Sequence, residues 1–230
     1  MLHIEGLNQY YSGSHILREV NLSVPEGKLT VLLGRNGVGK TTLLKCIMGV
    51  VPVRSGHIRW RDTALDSLRP HTRVAAGLGY VPQGREIFPR LTVEENLLVG
   101  AASRKAPKDI PAQIYELFPV LRDMKSRRGG DLSGGQQQQL AIGRALMSEP
   151  KLLILDEPTE GIQPNIITEI GRSLRRLVDE FGMTVLLVEQ YYEFAEKLAD
   201  HYAVMDRGEV LATGLGADMQ AQGVRAMISV

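Results

Sequence analysis

The segment Gly34-Arg-Asn-Gly-Val-Gly-Lys-Thr41 constrains this chain more than any other. It follows the apolar run Leu29-Thr-Val-Leu-Leu33 and opens the helical pattern Thr41-Thr-Leu-Leu-Lys-Cys-Ile-Met48. A G-x-x-x-x-G-K-[ST] loop between a buried strand and a helix turns its N–H groups toward one point, where the helix N-terminus adds partial positive charge. A phosphate cradle is therefore expected from Gly34, Arg35, Asn36, Gly37, Val38 and Gly39, with Thr42 on the first helical turn. Lys40 is placed to reach the β- and γ-phosphates of ATP, and the Thr41 hydroxyl to hold Mg2+.

Leu152-Leu-Ile-Leu155 and Thr184-Val-Leu-Leu-Val188 are also continuously apolar, as strands covered on both faces should be. Alternation of such runs with longer helical patterns predicts an α/β protein with a mainly parallel sheet. Ligands of open parallel sheets sit beyond the carboxyl ends of the strands, so Gly34, Asp156 and Gln190 should converge on one crevice. The first 25 residues, Gly56-His-Ile-Arg-Trp60 and Gly77-Leu-Gly-Tyr80 read as short strands of a mixed or antiparallel side lobe. From about Thr92 to Arg128 the pattern is helical, opened by the capping-box spacing Thr92-Val-Glu-Glu95. Tyr202-Ala-Val-Met205 and Val210-Leu-Ala212 read as final strands joined by a turn.

The run Leu152-Leu-Ile-Leu-Asp-Glu-Pro158 releases two acids at a strand end, and burying paired carboxylates is costly unless a cation or a reaction uses them. Asp156 is expected to orient the magnesium shell. Glu157 is expected to polarise, or take a proton from, the attacking water, with Lys40 beside it.

Composition removes several classes. Lys and Arg total 27 against 26 Asp and Glu, a net charge of +1, so nothing points to nucleic acid. The lone Cys46 cannot make an internal disulfide, and the start Met-Leu-His-Ile-Glu-Gly lacks a secretory pattern, so a cytosolic setting is expected. Apolar runs fall short of the roughly 18 residues a bilayer span needs. Cys46 and Trp60 read as packing residues.

Between the loop and the acids stands Leu132-Ser-Gly-Gly-Gln136. Ser133 is a natural N-cap, Gly134 and Gly135 would let a phosphate approach the first turn, and Gln136 completes the segment. Two anion sites on different lobes cannot share one γ-phosphate within a chain, so a two-chain sandwich is expected, with the signature acting in trans. In this order the motifs resemble the ATPase subunits of ABC transporters over essentially the whole chain. The resemblance implies a P-loop NTPase fold with an antiparallel β side lobe, a single domain over residues 1–230, and a helical subdomain over about 85–148. It also implies that Gln83, in Tyr80-Val-Pro-Gln83, contacts magnesium and water, and that Tyr11 stacks on adenine, with Tyr10 a near competitor.

A finer resemblance links Asp156-Glu-Pro-Thr-Glu-Gly-Ile-Gln-Pro164, Leu186-Leu-Val-Glu-Gln190, Val204-Met-Asp-Arg-Gly-Glu209 and Gly216-Ala-Asp-Met219 to branched-chain amino-acid and urea importers, closest to the urea type. Lipid or polysaccharide export is the rival the core motifs leave open. The resemblance implies a second ATPase subunit in a heterodimer, with a homodimer possible, and membrane permease subunits docking on the helical insert. A solute-binding protein would act indirectly, with the chain peripheral on the cytoplasmic face of the membrane. Two residues depart from the wider family: Gln190 stands where many members carry a histidine that bonds the γ-phosphate, so the resemblance implies a catalytic set of Lys40, Glu157 and Gln190, and Gln163 stands where they carry aspartate. An amide can donate to a phosphate oxygen but carries no titrating proton.

Overall fold

The computed structural model describes residues 1–102 and 109–229, so part of the expected helical stretch, residues 103–108, lies outside the described residues. The strands and helices run β1 (Leu2–Tyr11), β2 (Ser14–Val24), β3 (Leu29–Leu33), α1 (Lys40–Met48), β4 (Ser55–Trp60), β5 (Thr63–Ala64), α2 (Pro70–Ala75) and β6 (Leu78–Val81). They continue through α3 (Val93–Gly100), α4 (Ala112–Leu117), α5 (Pro119–Asp123), α6 (Gly134–Leu146), β7 (Leu152–Asp156) and α7 (Pro164–Asp179). The chain then forms β8 (Thr184–Glu189), α8 (Tyr192–Leu198), β9 (His201–Asp206), β10 (Glu209–Leu215) and α9 (Val224–Ser229).

A six-stranded sheet has the order β10-β9-β3-β8-β7-β6, parallel except for the β9–β10 hairpin. A four-stranded antiparallel sheet, β2-β1-β4-β5, forms the side lobe. The fully apolar strands are explained by what covers them. Leu29, Val31 and Leu33 face a core shared with α3, α6, α7 and α8, whereas Leu32 faces a second core shared with α1 and the antiparallel sheet. Period-two alternation thus divides one continuous run between two cores.

One strand assignment needs correction. Gly77-Leu-Gly-Tyr80 does not join the antiparallel lobe, because β6 lies at the edge of the parallel sheet with Leu78 opposite Leu152 and Val81 opposite Leu155. At Gly79 a Cβ would come within 2.9 Å of Pro150, so the glycine there serves close packing rather than a hairpin.

Helices α3 to α6 intervene in sequence between the adjacent strands β6 and β7. The Thr92 box forms as expected, Thr92 accepting from the Glu95 N–H while the Glu95 carboxylate accepts from the Thr92 N–H. Leu97, Leu117 and Phe118 are buried not in a small core of this region alone but in the one shared with the parallel sheet, α7 and α8. Cys46 and Trp60 are buried as well. At the far end of α1, the buried Arg73 donates to the carbonyls of Cys46 and Ile47 at 2.7 Å, satisfying acceptors the helix leaves open.

Candidate functional site

Strand register brings the polar ends together. Leu33, just before Gly34, lies opposite Glu189, and Asp156 lies opposite Val188. Beyond this edge a cavity of about 400 Å3 is lined by Tyr11, Asn36, Gly37, Gly39, Lys40, Thr41, Thr42, Gln83 and Glu157, with Ile16. Gly34, Arg35 and Val38 belong to the same loop without lining the cavity, and Asp156 lies buried beneath. Gln190 is exposed and also stands outside the lining.

The loop has its shape because Gly37 and Gly39 adopt φ of +80° and +113°, a backbone region that L side chains rarely enter. Gly39 leads directly into α1, so the first free N–H groups of that helix face the cavity. The β9–β10 turn braces the loop from outside: the Gly208 N–H donates to the Val38 carbonyl at 2.9 Å, while the Gly208 carbonyl accepts from Arg18 N–H at 2.8 Å.

Within the cavity, Lys40 donates to the carbonyls of Gly34 and Arg35 at 2.7 and 2.8 Å. Its ammonium also lies 3.0 Å from Glu157 Oε1. Gln83 Nε2 donates to Glu157 Oε2 at 3.3 Å and to Glu160 Oε2 at 3.0 Å. Glu157 sits at φ +47°, a left-handed conformation that costs free energy in a non-glycine residue. Its N–H donates to the Val188 carbonyl at 2.9 Å, which ties this strained residue to β8.

Asp156 is 1 % exposed. Burial pushes its carboxyl above the usual range; the Thr41 hydroxyl pulls it back and neighbouring Glu157 raises it further. Oδ2 accepts from the Tyr80 hydroxyl at 3.4 Å, but Oδ1 has no hydrogen-bond partner. A buried carboxylate oxygen left open beside a threonine hydroxyl is an oxygen donor set that suits a hard cation.

The two tyrosines separate clearly. Tyr10 stacks on His15, with centroids 4.2 Å apart and planes within 9°, whereas Tyr11 lines the cavity with its ring part-exposed. The signature segment lies elsewhere. Ser133 accepts from the Gln136 N–H at the start of α6 while Gln136 Oε1 accepts from the Ser133 N–H at 2.9 Å, and none of Ser133, Gly134, Gly135 or Gln136 lines the Lys40 cavity. Gln163 is exposed at the N-terminus of α7 without a side-chain cap bond.

This phosphate-loop geometry is matched by sequence across residues 17–160, which align with the family described as ABC transporter. The chain belongs to the ABC transporter family. It is 42% identical over 220 residues to the high-affinity branched-chain amino acid transport ATP-binding protein BraG of Pseudomonas aeruginosa, covering 94% of each. It is 37% identical to the probable branched-chain amino acid transport ATP-binding protein LivF of Archaeoglobus fulgidus, covering 95% of this chain and 94% of that one. A nucleotide-free ATP-binding cassette from an ABC transporter superposes with TM-score 0.86 at 27% identity, over 98% of this chain and 95% of that one. CbiO1 of Clostridium perfringens superposes with TM-score 0.84 at 30% identity, over 96% of this chain and 91% of that one. This ABC cassette is thus a P-loop ATPase that binds and hydrolyses ATP. No helix among its described residues is long and apolar enough to cross a membrane.

Sequence reasoning missed one buried acid beside this site. Glu189 ends the otherwise apolar β8, and an acid closing an apolar strand is the same signal that singled out Asp156.

Proposed function

We propose that this ABC cassette powers an importer of small polar solutes as a peripheral subunit on the cytoplasmic face of a membrane. The observation that carries the catalytic reading is the Lys40–Glu157–Gln83 constellation inside the phosphate-loop cavity. When ATP binds, Lys40 exchanges Glu157 and the loop carbonyls for β- and γ-phosphate oxygens. Glu157 is then free to orient the attacking water and accept its proton, and Gln190 donates to a γ-phosphate oxygen. Tyr11 stacks on the base, and the cradle is Gly34, Arg35, Asn36, Gly37, Val38, Gly39, Thr41 and Thr42. Thr41, Gln83 and Asp156 would hold Mg2+, which supplies charge neutralisation at the phosphates.

Residues 1–230 act in this reading as one ABC ATPase domain, with residues 85–148 as its helical subdomain. Because the signature start of α6 stands away from the Lys40 cavity, Ser133, Gly134, Gly135 and Gln136 serve the nucleotide of a second ATPase subunit. We assign that subunit as a different chain, with permease subunits docking on α3 to α5. Among solutes, the names of the relatives support branched-chain amino acids. Urea or a short amide is the second reading, supported by the Asp156–Pro164 and Leu186–Gln190 segments.

Steady-state ATP hydrolysis by the chain alone, then with partner ATPase and permeases in liposomes, tests the assembly. Activity stimulated in the complex by leucine but not by urea supports the first reading; the reverse supports the second. Full cooperative turnover by the chain alone removes the need for a different partner.

A further inference from the structure

We propose that Glu189 is a positioning residue that fixes Gln190 against the segment following Glu157, a role that rests on the catalytic reading of those two residues. Its carboxylate is 1 % exposed, at the end of β8. Backbone donors compensate it: Oε1 accepts from the Thr159 N–H at 3.2 Å, and Oε2 from the N–H groups of Gln190 at 3.2 Å and Tyr191 at 3.4 Å. The Thr159 hydroxyl bonds to it as well.

These donors come from two chain segments, one leaving β7 and the other leaving β8. The β7–β8 ladder ends with Asp156 opposite Val188, and one further backbone bond joins Glu157 to the Val188 carbonyl. Beyond that point the strands diverge and their N–H groups lose ladder partners. Glu189 supplies the missing acceptors from inside the protein, where an unpaired N–H is costly. Thr159 is two residues beyond Glu157, and Gln190 is the next residue after Glu189. One carboxylate therefore holds the exit of the left-handed Glu157 and the start of the Gln190 turn in a single arrangement. A misplacement there would leave ATP binding intact and disturb the alignment of water and γ-phosphate.

The isosteric Glu189→Gln keeps one acceptor but turns an amide N–H2 toward backbone donors. In the full chain, with its partners where they are needed for turnover, kcat should fall about tenfold while KM for ATP stays within about twofold. The part of the effect that runs through Gln190 is already lost in Gln190→Ala, so Glu189→Gln should slow the Gln190→Ala background by less than it slows the native chain. A raised KM at unchanged kcat, or losses that multiply in the double variant, overturns the proposal. Amide hydrogen exchange of the unmodified protein supplies a readout that needs neither turnover nor a folded variant. The amides of Thr159, Gln190 and Tyr191 should be protected despite lying outside the strands, and rapid exchange at all three overturns the assignment. Protection at these amides together with unchanged hydrolysis in Glu157→Gln would instead remove the role given to Glu157 and leave the Glu189 tether standing.

Discussion

The Lys40 ammonium lies 3.0 Å from Glu157 Oε1, with both side chains almost wholly withdrawn from solvent. Lysine thus has two competing sets of acceptors, the protein's own and the nucleotide's. Glu157→Gln removes the charged competitor. It should bind ATP at least as tightly as the native chain while hydrolysing it about 10² to 10⁴ times more slowly. Isothermal titration and a phosphate-release assay check the two halves, and native-like turnover would refute the role of the carboxylate.

Removing the other partner has a different signature. Lys40→Ala takes away a phosphate ligand and leaves Glu157 buried without its cation, a loss of about 3 to 5 kcal/mol for a pair of this kind. It should melt at a lower temperature than the double variant Lys40→Met/Glu157→Gln, although both bind ATP weakly. Equal melting temperatures would mean that the pair carries no strain when broken.

The tyrosines give a clean contrast. Tyr10 is already stacked on His15, and Tyr11 lines the cavity. Tyr11→Ala should raise KM for ATP by about three- to tenfold, the range one lost aromatic contact produces, and Tyr10→Ala should leave it unchanged. A larger effect at Tyr10 would reverse the assignment.

Asp156 is held at a cost to the free protein, since burial lifts its carboxyl and Oδ1 lacks a partner. Asp156→Asn should therefore raise the melting temperature without nucleotide and abolish the extra stabilisation that Mg2+ gives together with ATP. Thermal scans with ATP and either EDTA or Mg2+ measure both effects.

Burial lifts the Glu189 carboxyl to about 7, against the pull of its N–H donors. The folded protein then holds this proton more tightly than the unfolded chain does. Its contribution to stability is complete below the ordinary glutamate range and is lost as pH rises through about 7. The native chain should lose more stability than Glu189→Gln between about pH 5 and pH 7.5 in denaturant titrations. Parallel curves would show that Glu189 titrates as an ordinary surface acid.

The sequence reveals those features that local pattern determines. Leu29–Leu33 and Leu152–Leu155 had to be buried on both sides because no polar face interrupts them, and Thr92 announced its helix through Glu95. The pairing of β6 was not legible, because the partner of a four-residue strand is chosen by where α6 returns the chain. Nor was the left-handed backbone of Glu157, since only glycine advertises that region in a sequence. The phosphate loop was fully legible as a motif, yet which aromatic stood free beside it depended on the ring of His15.

The brace between Gly208 and Val38 gives synthesis a direction. A nascent chain that stops short of Arg207 already contains every residue of the phosphate loop, but not the turn that holds the loop from behind. The loop is thus complete in sequence long before it is complete in support, which arrives only when the β9–β10 hairpin has emerged. The last part of the site to be made is a hairpin that carries none of the reacting groups.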